Sequence, residues 1–317
     1  MKKRWMAVLF CIFFLIALIG CTVELLREND KPKVVAVLKT LDTQYWKIIK
    51  AGAEKGFHDF GIDGKVITTH DGLAEEQNDI LESILKERPD VLIVSPISSS
   101  NIPILKEFHE NNIPVLLVDT NDSWENKAAY IGTDNFELGR KAGELLASQL
   151  QPGDEVAFPL FDGFLTNLVF SERIKGAKFS LEDAGVKIVT ETVRLPDDLS
   201  AVKKAMTNIL QNHPDVKGVF AVNDIIALSV LEVTKEHGYK IPVTGADGTT
   251  KMMDLIEDKT LTGIVAQNPY DMGYISVETA VKVIKGENVS KNIDTGIDII
   301  TKDNAKQKLD FLKQLLK

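Results

Sequence analysis

The sequence predicts an α/β protein of two similar lobes, each a doubly wound parallel sheet, and three observations carry that expectation. Short β-branched runs alternate with longer amphipathic stretches from Val34 onward, as strands and covering helices do in a parallel sheet. The alternation restarts near Asn135. A helix-Pro-strand punctuation also recurs in the same order in both halves. With 317 residues, 44% of them apolar, the chain is long enough for about two domains with sizeable cores.

In the first half, residues 34–38 (VVAVL) are an unbroken apolar run and read as a buried strand. Helix 43–60 follows, with Trp46, Ile49 and Ala53 along one stripe, then strand 65–69 and helix 73–86. Strand 91–95 is entered through Arg88-Pro89-Asp90-Val91, helix 101–111 follows, and Asn112-Ile113-Pro114-Val115 leads into strand 115–118. Pro ends a helix and pre-sets the extended entry to a strand. A short strand at 128–131 precedes helix 135–150, and Gln151-Pro152-Gly153-Asp154 turns the chain.

The second half continues with strand 155–160, helix 166–184, strand 187–191 and helix 199–212. His213-Pro214-Asp215-Val216 and Lys240-Ile241-Pro242-Val243 repeat the earlier punctuation, leading into strands 217–224 and 241–249 on either side of helix 225–237. Helix 251–258, strand 261–266, helix 270–285, strand 297–300 and a terminal helix starting near Asn304 complete the pass. Strands 217–224 and 241–249 end abruptly on Asn223-Asp224 and Asp247-Gly248-Thr249. The carboxyl edge of an open α/β sheet is where ligands bind.

Residues 1–21 read as a secretory leader: basic Lys2-Lys3-Arg4, an uncharged apolar run from Trp5 to Ile19, then Leu18-Ile19-Gly20-Cys21. The Leu-x-Gly-Cys ending resembles a lipobox, which makes Cys21 the lipidation site and the mature N-terminus, on the outer face of a cell membrane. An uncleaved anchor is the alternative, because uncharged residues continue to Val23. Residues 22–33 read as a short polar tether. The two cysteines, Cys11 and Cys21, both fall in the leader, so the exported body holds no thiol and relies on its cores.

Formal charge is −9, and the leader contributes three basic residues and no acid, so the body is more acidic still. That balance argues against nucleic acid as a partner. The five histidines (His58, His70, His109, His213, His237) are dispersed without metal-ligand spacing, and no phosphate loop or nucleophile elbow is present. No metal or cofactor is expected, nothing pairs a nucleophile with a base, and the chain does not read as an enzyme.

The strand ends offer planar polar side chains: Asp119, Arg173, Asp197, Asn223, Asp247 and Gln267. Such groups can each engage two neighbouring hydroxyls, and the ionised ones form charge-assisted bonds, which suits a sugar. Tyr45 and Trp46, in the first turn after the first strand, could face the C–H surface of a sugar ring. Trp46 also fits the buried stripe of its helix.

From Val34 to Lys302 the sequence resembles the ribose-binding branch of bacterial periplasmic sugar-binding proteins, type I fold. The matching stretches are residues 38–46, 89–96, 113–121, 131–139 (IGTDNFELG), 172–179 (ERIKGAKF), 213–224, 243–249 and 264–273 (IVAQNPYDMG). The resemblance implies a first lobe of residues 34–133 with 268–295 and a second of 134–267 with 296–317. A three-strand hinge would fall near 131–134, 266–268 and 294–297. It places Thr43, Tyr45, Trp46, Asp119 and Thr120 on the first lobe's ligand wall and Arg173, Asp197, Asn223 and Asp247 on the second, with Gln267 at a crossover. Asp134 is expected to serve the hinge and not the ligand.

Two positions depart from the ribose pattern: Thr120 replaces an arginine and Asp197 an aromatic, so the expected ligand is a monosaccharide (pentose or hexose) or related polyol, not ribose in particular. The resemblance further implies lobe closure on the ligand, delivery to the membrane permease of an ABC transporter, and a monomer. A sensory binding protein that signals to a membrane histidine kinase or chemoreceptor is the alternative. A transcription repressor with a similar core would need a helix-turn-helix ahead of it, where this chain has an apolar leader.

Overall fold

The computed structural model describes residues 31–161, 167–193 and 199–317. The leader with Cys21, the tether through residue 30, and Asp197 lie outside the described residues.

The first sheet is assembled from β1 (Lys33–Leu38), β2 (Asp63–Thr68), β3 (Val91–Val94), β4 (Val115–Val118) and β5 (Ala129–Gly132). Helices α1 (Gln44–Phe60), α2 (Ala74–Glu87) and α3 (Ile102–Glu110) make the crossovers. The chain then passes to a second sheet through α4 (Asn135–Ala147), β6 (Glu155–Phe161), α5 (Leu168–Asp183), β7 (Lys187–Val193), α6 (Leu199–Asn212), β8 (Val216–Phe220), α7 (Asp224–Glu236) and β9 (Val243–Thr244). It continues through α8 (Thr250–Glu257) and β10 (Gly263–Gln267), returns to the first lobe as α9 (Pro269–Ile284) and β11 (Asn292–Asp294), and ends in the second as β12 (Ile297–Thr301) and α10 (Lys302–Leu315).

Strand order is β11-β5-β4-β3-β1-β2 in the first sheet and β7-β6-β8-β9 in the second, parallel throughout. β10 pairs antiparallel with β12 and joins the second sheet through a parallel bridge from Val265 to Ala246.

β1 shows why its sequence is apolar without interruption. Val34, Ala36 and Leu38 enter a core with α1 and α9, while Val35 and Val37 enter a separate core with α2 and α3. A strand covered on both faces alternates between two interiors, so neither parity can be polar. The second lobe has one contiguous core, centred on Phe158, Phe220, Ala227 and Met252. Helix α10 packs on it through Ala305 and Leu309.

The chain crosses between lobes three times, and the crossings are bonded to one another. Asp294 Oδ1 accepts from the Asp134 and Gly296 N–H groups (3.2 and 3.1 Å), Thr295 N–H donates to Gly132 O (2.8 Å), and Asn268 Nδ2 donates to Thr295 O (3.2 Å). Asp134 also caps α4 by accepting from Glu137 N–H.

Two strand expectations are corrected. The run 217–224 pairs only to Phe220, because Asn223 takes the N-cap of α7 and its Oδ1 accepts from Ile226 N–H. The run 241–249 is a strand only at Val243–Thr244, with one further bridge at Ala246. Beyond Thr244, Gly245 passes so close to Asp224 that an added Cβ would lie 2.9 Å from Oδ1, and the chain bends to aim Asp247 inward. β11, three polar-flanked residues on a sheet edge, adds a strand that no apolar run in the sequence marks.

The α4–α5 contact determines where Arg173 stands. A Cβ at Gly139 would lie 2.0 Å from Arg173 O, and one at Gly176 2.0 Å from Phe136 O, so the two backbones touch only because both positions lack side chains. Gly139→Ala is expected to lose about 1–3 kcal/mol through overpacking. Urea unfolding at unchanged stability would contradict this contact.

Candidate functional site

Between the two sheet edges lies a cavity of about 290 Å³. Thr43, Tyr45, Trp46, Asp119, Thr120, Arg173, Asn223, Asp247 and Gln267 all border it; Asp197 is the one expected ligand-wall residue outside the described residues.

The first lobe's wall is centred on Asp119, which follows β4. Its φ of 63° is in the left-handed region, uncommon for a side chain other than Asn or Asp, and bonds on both sides hold it there. Its N–H donates to Ile131 O (2.9 Å) and its carbonyl accepts from the Tyr130 hydroxyl (3.0 Å). The carboxylate is steered by the Tyr45 hydroxyl on Oδ1 (2.6 Å) and the Thr120 hydroxyl on Oδ2 (2.9 Å). Each oxygen keeps a lone pair for a further donor. Burial, then the Asp119 charge, push the Tyr45 hydroxyl well above the usual phenol range, so it remains a donor.

Lys39 is a site residue that sequence reasoning missed. It leaves the end of β1, its ammonium donates to Thr120 Oγ1 (2.7 Å), and it stands 5.5 Å from the Trp46 ring centre. Burial pulls its pKa down and the Asp119 charge opposes that. A cation thus reaches the neighbourhood of Thr120 from another strand, where the sequence comparison expected one lost. Trp46 satisfies both of its readings: it is in the α1 core and borders the cavity, edge-on to Tyr45 at 5.4 Å.

The second lobe's wall is built on Arg173, a charged side chain only 2% exposed. Nε donates to Asn135 Oδ1 (2.8 Å), Nη1 donates to Val222 O (2.8 Å), and Nη1 lies 3.5 Å from Asp247 Oδ1. Gln267 Nε2 donates to the same Asp247 oxygen (2.8 Å). Asn223 spends its carbonyl on the α7 cap, so its amide NH₂ is the end available to the cavity. Asn167 and Phe170, around the start of α5, also border the space, and neither stood out in the sequence.

Behind this wall, Asp224 is fully buried. Its Oδ2 accepts from Thr249 N–H (2.7 Å), and its own N–H reaches Asp247 Oδ2 (3.4 Å). Burial first, then the negative charge of Asp247, raise its pKa to about 7. Burial also raises Asp247, against the opposing Arg173 charge.

Among the described residues there is no cluster of three or more His, Cys, Asp or Glu that could hold a metal ion, and no helix is long and apolar enough to cross a membrane. The described histidines are exposed or half-buried on the outside of both lobes.

The raised Asp224 pKa has a definite sign. A carboxyl whose folded pKa exceeds its unfolded value contributes stability that is present at low pH and lost as pH rises through the folded value. The stability of the wild type relative to Asp224→Asn should therefore fall by about 2 kcal/mol between roughly pH 5 and 8. Parallel denaturation profiles for the two proteins would contradict a buried, proton-retaining Asp224.

Comparison with known proteins matches this arrangement. The chain is 28% identical to the ribose import binding protein of Bacillus subtilis over 265 residues, covering 83% of this chain and 85% of that one. It is 27% identical to the D-allose-binding periplasmic protein of Escherichia coli, covering 80% and 85%. Among solved structures, a glucose-galactose binding protein from Geobacillus stearothermophilus superposes with a TM-score of 0.78 at 25% identity, covering 87% of this chain and 99% of that one. A carbohydrate transporter solute binding protein from Agrobacterium radiobacter, in complex with D-arabinose, gives 0.78 and 25%, covering 91% and 99%. The family profile described as periplasmic binding protein domain matches residues 34–288, which is most of the chain. With two parallel sheets, three bonded crossings and a polar cavity between the sheet edges, the chain belongs to the periplasmic binding protein domain family, a family of solute-binding proteins.

Proposed function

We propose that the protein captures one neutral monosaccharide, or a related polyol, between its two lobes and delivers it to the membrane permease of an ABC transporter. The observation that carries this reading is the pairing of Asp119 on one wall with Arg173, Asp247 and Gln267 on the other, around a cavity of about 290 Å³. That size is at the low end of small-molecule pockets, roughly 300–1,000 Å³, and suits a single sugar ring.

Charge bookkeeping supports a neutral ligand. Lys39 stands against Asp119 and Arg173 against Asp247, so each wall is balanced before anything binds. Hydroxyls that donate to the carboxylates and accept from the guanidinium and amides bridge both walls at once, and so stabilise only the closed arrangement. Curated relatives named for ribose and allose, and the arabinose complex, are consistent with a ligand of this class. Binding, not turnover, is the role, with no metal or cofactor required; the protein acts as a monomer.

The Leu-Ile-Gly-Cys sequence at the end of the leader supports anchoring through a lipid on Cys21 at the outer face of the membrane. Mass spectrometry of the native N-terminus should find a diacylglyceryl-modified Cys21 as the first residue. An intact leader would instead favour a membrane-anchored sensor.

A thermal-shift screen against monosaccharides and polyols should find at least one that raises the melting temperature, since a ligand that binds only the folded form stabilises it by mass action. With that sugar, Arg173→Ala and Asp247→Ala should each weaken binding by about 2 kcal/mol or more, because each leaves buried partners unpaired. Calorimetry showing full affinity in both variants would refute the site assignment.

A further inference from the structure

We propose that Gln44 and Thr250 form a latch across the mouth of the cleft, and that this latch sets how tightly the protein holds any ligand that fits without setting which ligand fits. The inference rests on the binding reading above and adds to it a determinant outside the cavity.

Gln44 is the first residue of α1 in the first lobe, and Thr250 the first residue of α8 in the second, 206 positions away. Two reciprocal hydrogen bonds join them: Thr250 N–H donates to Gln44 Oε1 (2.8 Å), and Gln44 Nε2 donates to Thr250 Oγ1 (3.0 Å). The first N–H groups of a helix have no partner within it, and the one at the first helical position is beyond reach of the residue just ahead. Thr249, the residue ahead of α8, makes no side-chain cap of its own. The acceptor for Thr250 N–H comes from the opposite lobe.

Three consequences follow from this placement. Separating the lobes breaks both bonds in one movement and returns the Thr250 N–H to water, so the latch opposes opening whether or not a ligand is present. Apparent affinity scales with the fraction of protein in the binding-competent arrangement, so a device that populates the closed form tightens every ligand by the same factor. Neither residue borders the cavity, so neither can rank one sugar above another.

Two variants test the latch by different chemistry. Gln44→Ala removes both bonds from the α1 side. Thr250→Pro removes the N–H and the hydroxyl from the α8 side at a first helical position, where proline is tolerated. Thr249 ahead of it is already extended (φ −73°, ψ 158°), as a residue before proline must be. Small-angle X-ray scattering of the unliganded proteins should show a larger radius of gyration for both variants than for the wild type. Affinities for all sugars found to bind should fall by one common factor, about three- to tenfold from the loss of solvent-near hydrogen bonds, with their ratios preserved. Gln44→Glu, which keeps the acceptor for Thr250 N–H, should stay closer to the wild type.

Unchanged scattering and unchanged affinities in both variants would overturn the proposal. So would a change in the ratio between two sugars, because that would make Gln44 a ligand contact. If no sugar binds the wild type, the binding reading fails on its own, and the scattering comparison still decides the latch.

Discussion

A guanidinium buried to 2% exposure is the constraint around which the second lobe is arranged. Arg173 cannot shed its charge, and a buried charge without partners is costly, so the fold surrounds it with acceptors. Asn135 comes from the crossing into α4, Val222 O from beyond β8, and Asp247 from the bend after β9. Gly139 and Gly176 let α4 and α5 touch backbone to backbone, which sets Arg173 beside Asn135. The second wall is therefore held by bonds made within the protein and tied to the crossing between lobes. Preorganised donors of this kind lose little freedom when a ligand arrives.

The first wall solves a different problem. Asp119 is an acceptor that must face the cavity without pairing directly with the cation nearest to it, and a hydroxyl stands between: Lys39 bonds Thr120, and Thr120 bonds Asp119. The carboxylate is oriented by Tyr45 and Thr120 and retains capacity for ligand hydroxyls. The walls are carried on separate sheets, and the crossings that join those sheets are bonded to one another at Gly132, Asn268 and Thr295.

Much of this was legible in the sequence, for identifiable reasons. The buried strands announced themselves because strands covered on both faces must be apolar at every position, as 34–38 and 115–118 are. Asp119, Arg173, Asn223, Asp247 and Gln267 could be chosen because they fall where buried runs give way to polar residues, or within stretches that resemble a family. What escaped depended on three-dimensional meeting. Lys39 follows a strand and looks like any solvated lysine until Thr120 and Trp46 are placed beside it. Asp224 reads as an ordinary helix-starting acid, and only the approach of Gly245 and Thr249 makes it a buried carboxyl. β11 has no apolar signature because it is a three-residue edge, and the extent of β9 is set by the demands of Asp247 and not by local propensity.

In the proposed function, polar groups from two lobes meet on one sugar. A crystal structure of the protein with the monosaccharide that stabilises it most tests this directly. One ring should occupy the cavity, with hydroxyl oxygens within hydrogen-bond distance of Asp119 on one side and of Arg173 and Asp247 on the other. A sugar bound to a single lobe, or outside the space between Tyr45 and Asn223, would contradict it.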